Sequence, residues 1–165
     1  FDLCKSLTTI DIPDSVAAIA DDAFIGCKAL QSFTLSPNHP YFFLADGALC
    51  RTADSTLLFY PNAREPRTYR IPDGIAAISA YAFYDCDLLE SVVIPDSITQ
   101  IPERAFYGCS ALASVSLPDS LTEIGIAAFS FCAALTDIRI PASITEISAG
   151  LFSGCSSLAL KFRIL

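Results

Sequence analysis

The chain has 165 residues, is 53% hydrophobic and carries a formal net charge of −8. This apolar content is enough for a sizeable core, and the acidic balance argues against a general nucleic-acid binder, because phosphate binding needs clustered positive charge. The sequence has no run of about 18 apolar residues, so it predicts no membrane span.

One pattern recurs through the whole chain at a nearly fixed interval. An apolar residue heads each unit in steps of 23, 36, 23, 23 and 23 residues, at Ile12, Leu35, Ile71, Ile94, Leu117 and Ile140. A phenylalanine keeps the same time, at Phe24, Phe83, Phe106, Phe129 and Phe152. A fixed period in the twenties is typical of a solenoid, whose coils stack and share one core. We therefore predict a single elongated repeat domain over residues 1–165.

The first residues already follow this pattern. Phe1-Asp-Leu-Cys4 aligns with Phe24-Ile-Gly-Cys27 and leads into a strand predicted around Thr9 to Ile12. This alignment places the start inside a repeat, and no signal peptide is recognisable there, so we expect a fragment of something longer. A solenoid cut at this point leaves an apolar edge, which we expect further residues or a partner chain to cover.

The unit from Leu35 to Ile71 spans 36 residues, 13 more than the 23-residue period requires. Asp46-Gly47 lies between two apolar runs, which is a strong hairpin signal, and a second turn-like cluster at 52–55 indicates a third strand. We predict that residues 36–70 form an enlarged repeat, with a β-hairpin or meander that projects from the side of the solenoid.

The only local excess of positive charge follows this insert, at Arg64, Arg67 and Arg70. One interpretation is a solvated linker. The other is a partner or anion contact formed together with nearby tyrosines, because arginine and aromatic residues are enriched at binding hot spots. The tyrosines in question are Tyr41, Tyr60 and Tyr69.

Four coils then run from Ile71 to Ser157 without interruption. Within them Val115 and Leu117 alternate with serines, which is the period of a short strand with one buried face. Pro118 cannot donate a ladder hydrogen bond and ends the strand, and Asp119-Ser120 supplies turn chemistry.

The coil spelled Ile94-Pro-Asp-Ser97, spaced Ile98 and Ile101, then Ala105-Phe-Tyr-Gly-Cys109 resembles the leucine-rich repeat of the BspA-like class of bacterial and protist surface proteins. The resemblance implies an α/β-type repeat solenoid, with parallel strands on a concave face and short helical or 3-10 turns elsewhere. It also implies an extracellular or cell-surface location. Many leucine-rich repeats have an asparagine ladder, but here the corresponding residues are Ser15, Gly74, Ser97, Ser120 and Ser143. Something else must then satisfy the inner backbone groups.

The last unit departs from this register. The ordinary spacing would bury Lys161 and Arg163, whereas a slip by one residue exchanges the two faces of a strand. We therefore expect a final strand with Leu160, Phe162 and Ile164 inward and the two cations outward, which would act as a modest cap.

The solvent-facing residues of the predicted strands form columns. The column between the two buried strand positions contains Asp11, Thr34, Arg70, Val93, Ser116 and Arg139. One interpretation is a solvated sheet without a ligand. The other is an extended surface for a protein or glycan, with the arginines and Val93 as contacts.

Six of the seven cysteines occupy one position of the repeat, at Cys4, Cys27, Cys86, Cys109, Cys132 and Cys155. We expect a stack of buried thiols, because neighbouring side chains in such a stack point the same way and fit the disulfide dihedral poorly. Disulfides are the alternative; a metal site is disfavoured because no paired Cys/His spacing occurs. Cys50 lies apart, in the insert, and we expect it to be the most reactive.

Enzymatic chemistry is not predicted. His39, between Asn38 and Pro40, is the only histidine, and no nucleophile elbow, phosphate loop, metal motif or cofactor motif is present. The recurrent Pro-Asp carboxylates have a structural reason in the turns. Two functions remain: a surface recognition module for a host or cell-surface protein, or for a glycan, and a structural spacer that binds nothing.

Overall fold

The computed structural model describes residue 1 and residues 3–159. In this part of the chain the regular elements are short strands, which are, in order, β1 Thr9–Asp11, β2 Ser32–Thr34, β3 Phe42–Ala45, β4 Ala48–Arg51, β5 Thr56–Phe59, β6 Thr68–Arg70, β7 Ala77–Ile78, β8 Ser91–Val93, β9 Gln100–Ile101, β10 Ser114–Ser116 and β11 Glu123–Ile124. The final strand predicted around Leu160 to Ile164 lies outside the described residues.

The coils stack through parallel strands one repeat apart. In the main ladder β6 pairs with β8 and β8 with β10, so that Tyr69, Val92 and Val115 lie side by side with their side chains buried. β1 pairs with β2 in the same way. A second, narrower ladder joins β9 to β11 on another side of the coil. The architecture is therefore a repeat solenoid of parallel strands.

No helix or 3-10 turn occurs among the described residues, so the predicted α/β class and helical turns are wrong. The reason is the backbone at two positions of the repeat, where φ is positive. The first position is occupied by Tyr81 (φ 62°), Arg104 (52°), Ala127 (53°) and Gly150 (66°). The second is occupied by Asp85 (φ 55°), Gly108 (75°), Phe131 (60°) and Gly154 (76°). A left-handed residue interrupts a right-handed helix at once.

Backbone groups in these turns are satisfied by the neighbouring coil instead. The amide of Phe83 donates to the carbonyl of Ala105 (2.8 Å), and that of Phe106 donates to Ala128 (2.9 Å). The amide of Gly108 likewise donates to Ser130 (2.8 Å). In a helix these amides would bond within their own segment. Here they bond to the next coil instead, because buried amides need partners.

Stacked rings run through the core at the recurrent phenylalanine. Phe83 and Phe106 have centroids 4.6 Å apart, Phe106 and Phe129 5.2 Å, and Phe129 and Phe152 6.1 Å, with interplanar angles of 16° or less. Phe83, Phe106 and Phe129 are fully buried. One coil could not cover such rings alone, so their burial depends on both neighbours.

Thiols and hydroxyls take the place of an asparagine ladder. Each buried cysteine at the repeated position donates its thiol to a carbonyl 26 residues earlier. The pairs are Cys27 to Phe1 (3.2 Å), Cys86 to Tyr60 (3.7 Å), Cys109 to Phe83 (3.0 Å) and Cys132 to Phe106 (3.2 Å). The turn serines act similarly, each on a carbonyl 22 residues earlier: Ser97 donates to Ile75 (2.7 Å), Ser120 to Ile98 (3.4 Å) and Ser143 to Leu121 (2.5 Å). These bonds satisfy inner carbonyls that stacking leaves open.

The insert is a three-stranded antiparallel meander, β3 to β4 to β5, with the Asp46-Gly47 turn between the first two strands. The sequence predicts that this insert projects from the side of the solenoid, but it does not. β5 pairs in parallel with β7, which lies one repeat before β9 although the two strands belong to different sheets. Every residue of β5 is buried, which a lateral hairpin could not achieve.

The meander separates two hydrophobic cores. Leu49, Leu58 and Phe59 pack in the core of the first coils, whereas Cys50 and Leu57 pack in the core of the later coils. Successive strand residues point to opposite faces, so Leu49 and its neighbour Cys50, and likewise Leu58 and its neighbour Leu57, pack in different cores. We call this three-stranded unit the partition.

Polar contacts fasten the partition and the two halves of the solenoid. The buried His39 accepts from the amides of Tyr41 and Phe42 through Nδ1 (both 3.2 Å), which leaves Nε2 as the donor to the carbonyl of Pro13 (3.1 Å). Ser79 donates to Asp21 (2.6 Å) across the insert. The isolated histidine of the sequence is therefore a structural clamp.

Candidate functional site

The predicted column of solvent-facing residues is present in two parts. Arg70, Val93 and Ser116 lie in direct register on β6, β8 and β10, and Asp11 and Thr34 lie in register on β1 and β2. β2 and β6 belong to different sheets, because the partition interrupts the main ladder. We call the solvent-facing side of these five strands the strand face.

The part of the strand face on β1 and β2 is held by its own polar side chains. Thr34 Oγ1 donates to Asp11 Oδ1 (2.7 Å), and the hydroxyls of Thr9 and Ser32 are 3.2 Å apart. The part on β6, β8 and β10 has small hydroxyl side chains, an exposed Arg70 and a half-buried Val93. The second part is therefore the more open to a partner.

Among the ion-paired cations of the described residues, Arg70 and Arg139 have the most exposed side chains. Arg70 lies 3.6 Å from Asp73, with 66% and 81% of the two side chains exposed, and Arg139 lies 3.4 Å from Asp119, with 76% and 78% exposed. Exposed pairs of this kind contribute about 0–1 kcal/mol. Either guanidinium can thus turn to a partner at little cost.

The other arginines after the insert are engaged locally. Arg67 bridges Glu65 (3.1 Å) and Glu90 (3.3 Å), and these bonds raise the pKa of its guanidinium. Arg64 donates to the carbonyl of Glu65 (3.3 Å) and lies over Gly47, where an added Cβ would come within 2.2 Å of its Nε. The predicted basic patch is thus tied down by acidic and backbone groups.

The tyrosines of that predicted contact do not share one surface. Tyr41 is exposed, but Tyr60 and Tyr69 are buried, so their assignment as surface contacts is wrong. Burial raises the pKa of Tyr60 to about 12, and the hydroxyl of Tyr69 donates to the carbonyl of Ala45 (2.8 Å). The repeat period could have shown this, because Tyr60 and Tyr69 precede the buried Phe83 and Val92 by one period each.

Two predictions about the cysteines also need correction. Cys4 is exposed rather than buried, and Cys155 is only partly buried. Cys50 is fully buried in the partition, and burial raises the pKa of its thiol to about 12. A thiol reacts as the thiolate, so Cys50 is not the reactive cysteine expected.

The described residues offer little for catalysis. They contain no group of three or more His, Cys, Asp or Glu residues that could hold a metal ion. A cleft beside the partition, lined by Phe24, Tyr60 and Tyr84 among others, has a volume of about 10 Å³. That is room for about one water molecule, far below the several hundred Å³ of a typical ligand pocket. Within the same residues no helix has the length and apolar character that crossing a membrane requires.

An aromatic cluster on the turn side of the coils was not predicted. Tyr84 and Tyr107 stack with centroids 4.9 Å apart and an interplanar angle of 5°, and Phe131 lies edge-on 5.2 Å from Tyr107. Tyr81 lies 5.8 Å from Tyr84. Tyr84 and Tyr107 are one period apart, and that spacing is the signal that could have revealed the cluster.

Comparison with known proteins agrees with this geometry. The family model described as the BspA type leucine-rich repeat region matches in six copies, over residues 1–43 and 62–162. The comparison with curated proteins gives no match.

Solved structures of repeat proteins are similar over nearly the whole chain. A leucine-rich repeat protein from Eubacterium ventriosum is 27% identical with a TM-score of 0.83, and covers 93% of this chain and 41% of its own. A leucine rich cell surface protein from Faecalibacterium prausnitzii is 33% identical with a TM-score of 0.73, and covers 93% and 47%.

The pneumococcal vaccine antigen PcpA is 20% identical with a TM-score of 0.79, over 92% of this chain and 44% of its own, and shows the fold alone. The chain thus spans less than half the length of each of these three proteins. The repeat period, the stacked parallel strands and the family match agree, and the chain belongs to the BspA type leucine-rich repeat family.

Proposed function

We propose that this chain is a recognition module exposed outside the cell, which binds a protein of a host or of a neighbouring cell through its strand face. Repeats of this family generally form protein-interaction modules. The proposal includes an extracellular or cell-surface location and a non-enzymatic role. A similar solved protein described as a cell surface protein supports the location.

The observation that carries the proposal is the open part of the strand face. Arg70, Val93 and Ser116 stand side by side on three hydrogen-bonded strands, so a partner would meet a rigid surface. Arg139 lies beyond β10 in the next coil, where the backbone of Asp137 forms an isolated parallel β-bridge with Ser114. Arginines held only by exposed carboxylates can exchange those for a partner's, and arginine is enriched at protein-binding hot spots.

Binding to purified host matrix proteins, a glycan array and intact bacterial cells tests this proposal. The double variant Arg70→Glu with Arg139→Glu is compared with the matched control Lys5→Glu with Arg51→Glu, which makes the same change in net charge. Lys5 is exposed and Arg51 is paired with Asp54, and both lie outside the strands of the strand face.

We expect saturable binding to a protein that weakens about tenfold or more in the strand-face variant, is unchanged in the control and falls with added salt. Equal binding by all three proteins would place the site elsewhere. Binding to none of the targets would favour the spacer function, and binding to glycans alone would replace the protein partner.

A further inference from the structure

The aromatic cluster on the turn side forms a second surface with the composition of a binding site. It consists of Tyr81, Tyr84, Arg104, Tyr107, Ile126 and Phe131, and we call it the aromatic ledge. Phe131 is 49% exposed and Ile126 52%, while the three tyrosines and Arg104 are half-buried. Arg104 donates to the hydroxyl of Tyr81 (3.2 Å) and pairs with Glu103 (2.8 Å).

The fold itself does not require these side chains. Tyr81, Arg104 and Phe131 have φ values of 62°, 52° and 60°, a region that bulky side chains rarely adopt. At the equivalent positions of other coils the chain has Gly108, Gly150 and Gly154. Glycine would satisfy the backbone at these positions, so the backbone conformation does not explain why the side chains there are large. Backbone strain of this kind is concentrated at functional sites.

We propose that the aromatic ledge is a docking surface for a segment of another protein that presents apolar side chains flanked by lysine or arginine. Tyrosine, arginine and exposed apolar groups on a rigid support are the usual components of a protein-binding hot spot. This surface is distinct from the strand face, and the inference does not depend on the function proposed for that face.

The stacking geometry points to a protein rather than a glycan. A sugar ring packs on the open face of an aromatic ring, but Tyr84 and Tyr107 cover one face of each other at 5° and 4.9 Å. Phe131 also contacts Tyr107 (5.2 Å) and Tyr81 contacts Tyr84 (5.8 Å), so the rings are crowded by aromatic neighbours. What these two rings offer to solvent is edges and hydroxyl groups. These suit apolar side chains and hydrogen-bonding groups of a polypeptide.

The charges point to a basic partner and away from a second copy of this chain. Next to the ledge the three carboxylates of Asp85, Asp87 and Glu103 outnumber the two cations with which they pair, Lys28 and Arg104, in a chain of net charge −8. Two such acidic surfaces would repel each other, whereas lysines or arginines around an apolar anchor would be attracted.

The test uses a phage-displayed library of random 12-residue peptides selected on the whole chain. Enriched peptides are synthesised, and their dissociation constants are measured by fluorescence anisotropy against four proteins. These are the wild type, Tyr81→Gly with Phe131→Gly, the control Leu3→Gly and the strand-face variant Arg70→Glu with Arg139→Glu. Leu3 is also exposed with positive φ (58°) but lies far from the ledge in sequence.

We expect enriched peptides to combine apolar residues with lysine or arginine and to lose at least tenfold in affinity only with the ledge variant. Glycine suits the backbone at both substituted positions, and circular dichroism checks that the variant folds. No enrichment over an unrelated acidic protein, or equal affinity for the ledge variant, would overturn the proposal. So would ledge-dependent self-association in sedimentation velocity, or ledge-dependent glycan binding.

Discussion

At the scale of single residues, the path of each coil depends on a few backbone positions with positive φ. Tyr81, Arg104, Ala127 and Gly150 follow one another at intervals of one period, and each interrupts the chain where a helix would otherwise form. The sequence gives little warning, because three of the four are not glycine. A column of non-glycine residues in this region carries a strain of about 1–2 kcal/mol at each position.

Ala127→Gly is therefore expected to stabilise the protein. Relief of the left-handed strain exceeds the extra flexibility that glycine adds to the unfolded chain, and the free energy of unfolding should rise by about 0.5–1 kcal/mol. Ala133, also partly buried but without positive φ, is the matched control, and Ala133→Gly should destabilise. Urea unfolding measures both, and a loss of stability in Ala127→Gly would show that the position carries no strain.

The buried thiols make stability depend on pH. Burial raises the pKa of Cys50 from 9.0 to about 12 and that of Cys109 well above 9.0. The unfolded chain therefore releases these protons at a lower pH than the folded chain does. The stability contributed by the protonated thiols is complete below pH 9 and is lost as the pH rises towards the folded-state pKa.

Alkaline pH should consequently destabilise the protein by about 1.4 kcal/mol per pH unit for each such thiol. Urea unfolding between pH 8 and pH 11 under reducing conditions should show a steep decline. Cys50→Ala should remove one thiol's share of that slope, whereas the control Leu44→Ala, which removes no titratable group, should not change it. The same slope in Cys50→Ala and the wild type would contradict the assignment.

At the scale of elements, the partition is what distinguishes this solenoid from a uniform stack. β5 hydrogen-bonds to β4 on one edge and to β7 on the other, so the insert is built into the wall of the coil. Leu57 and Leu58 are both fully buried but face different cores. The partition is thus a shared structural element of both halves.

Truncation of either leucine should destabilise the whole chain. Leu57→Ala and Leu58→Ala are each expected to lower the free energy of unfolding by about 2–5 kcal/mol, since each leaves a cavity in a core. Leu44→Ala in β3 is the matched control, because that leucine is 40% exposed, and its cost should be under about 1 kcal/mol. If both core substitutions left the free energy of unfolding nearly unchanged, the meander would instead be a lateral appendage of the solenoid.

The sequence predicts some of these elements and not others. The alternation around Val115 and the turn at Asp46-Gly47 predict β10 and the β3–β4 hairpin, because local patterns determine them. The packing of this meander in the wall of the solenoid could not be predicted, since runs buried on both faces show no alternation, and the hairpin signal does not say where a hairpin packs. Local charge and aromatic content predict Tyr60 and Tyr69 on the surface, because this reasoning leaves out the 23-residue repeat period.

At the scale of the whole molecule, we propose that residues 1–165 form one domain in which residues 36–70 are an enlarged repeat. Contacts across the insert support this, because Ser79 bonds to Asp21, and Lys28 bonds to Asp87 (2.8 Å). A single calorimetric unfolding transition is the expected result, and two separate transitions would divide the chain at the partition.

Whether the strand face recognises a protein, as we claim, can be observed residue by residue with backbone NMR. The chain, at 17.7 kDa, suits amide chemical-shift mapping. It is titrated with the protein that it binds among the purified host matrix proteins. The largest shifts are predicted to cluster at Arg70, Val93, Ser116 and Arg139. Shifts that leave these four unchanged and cluster elsewhere would contradict the claim.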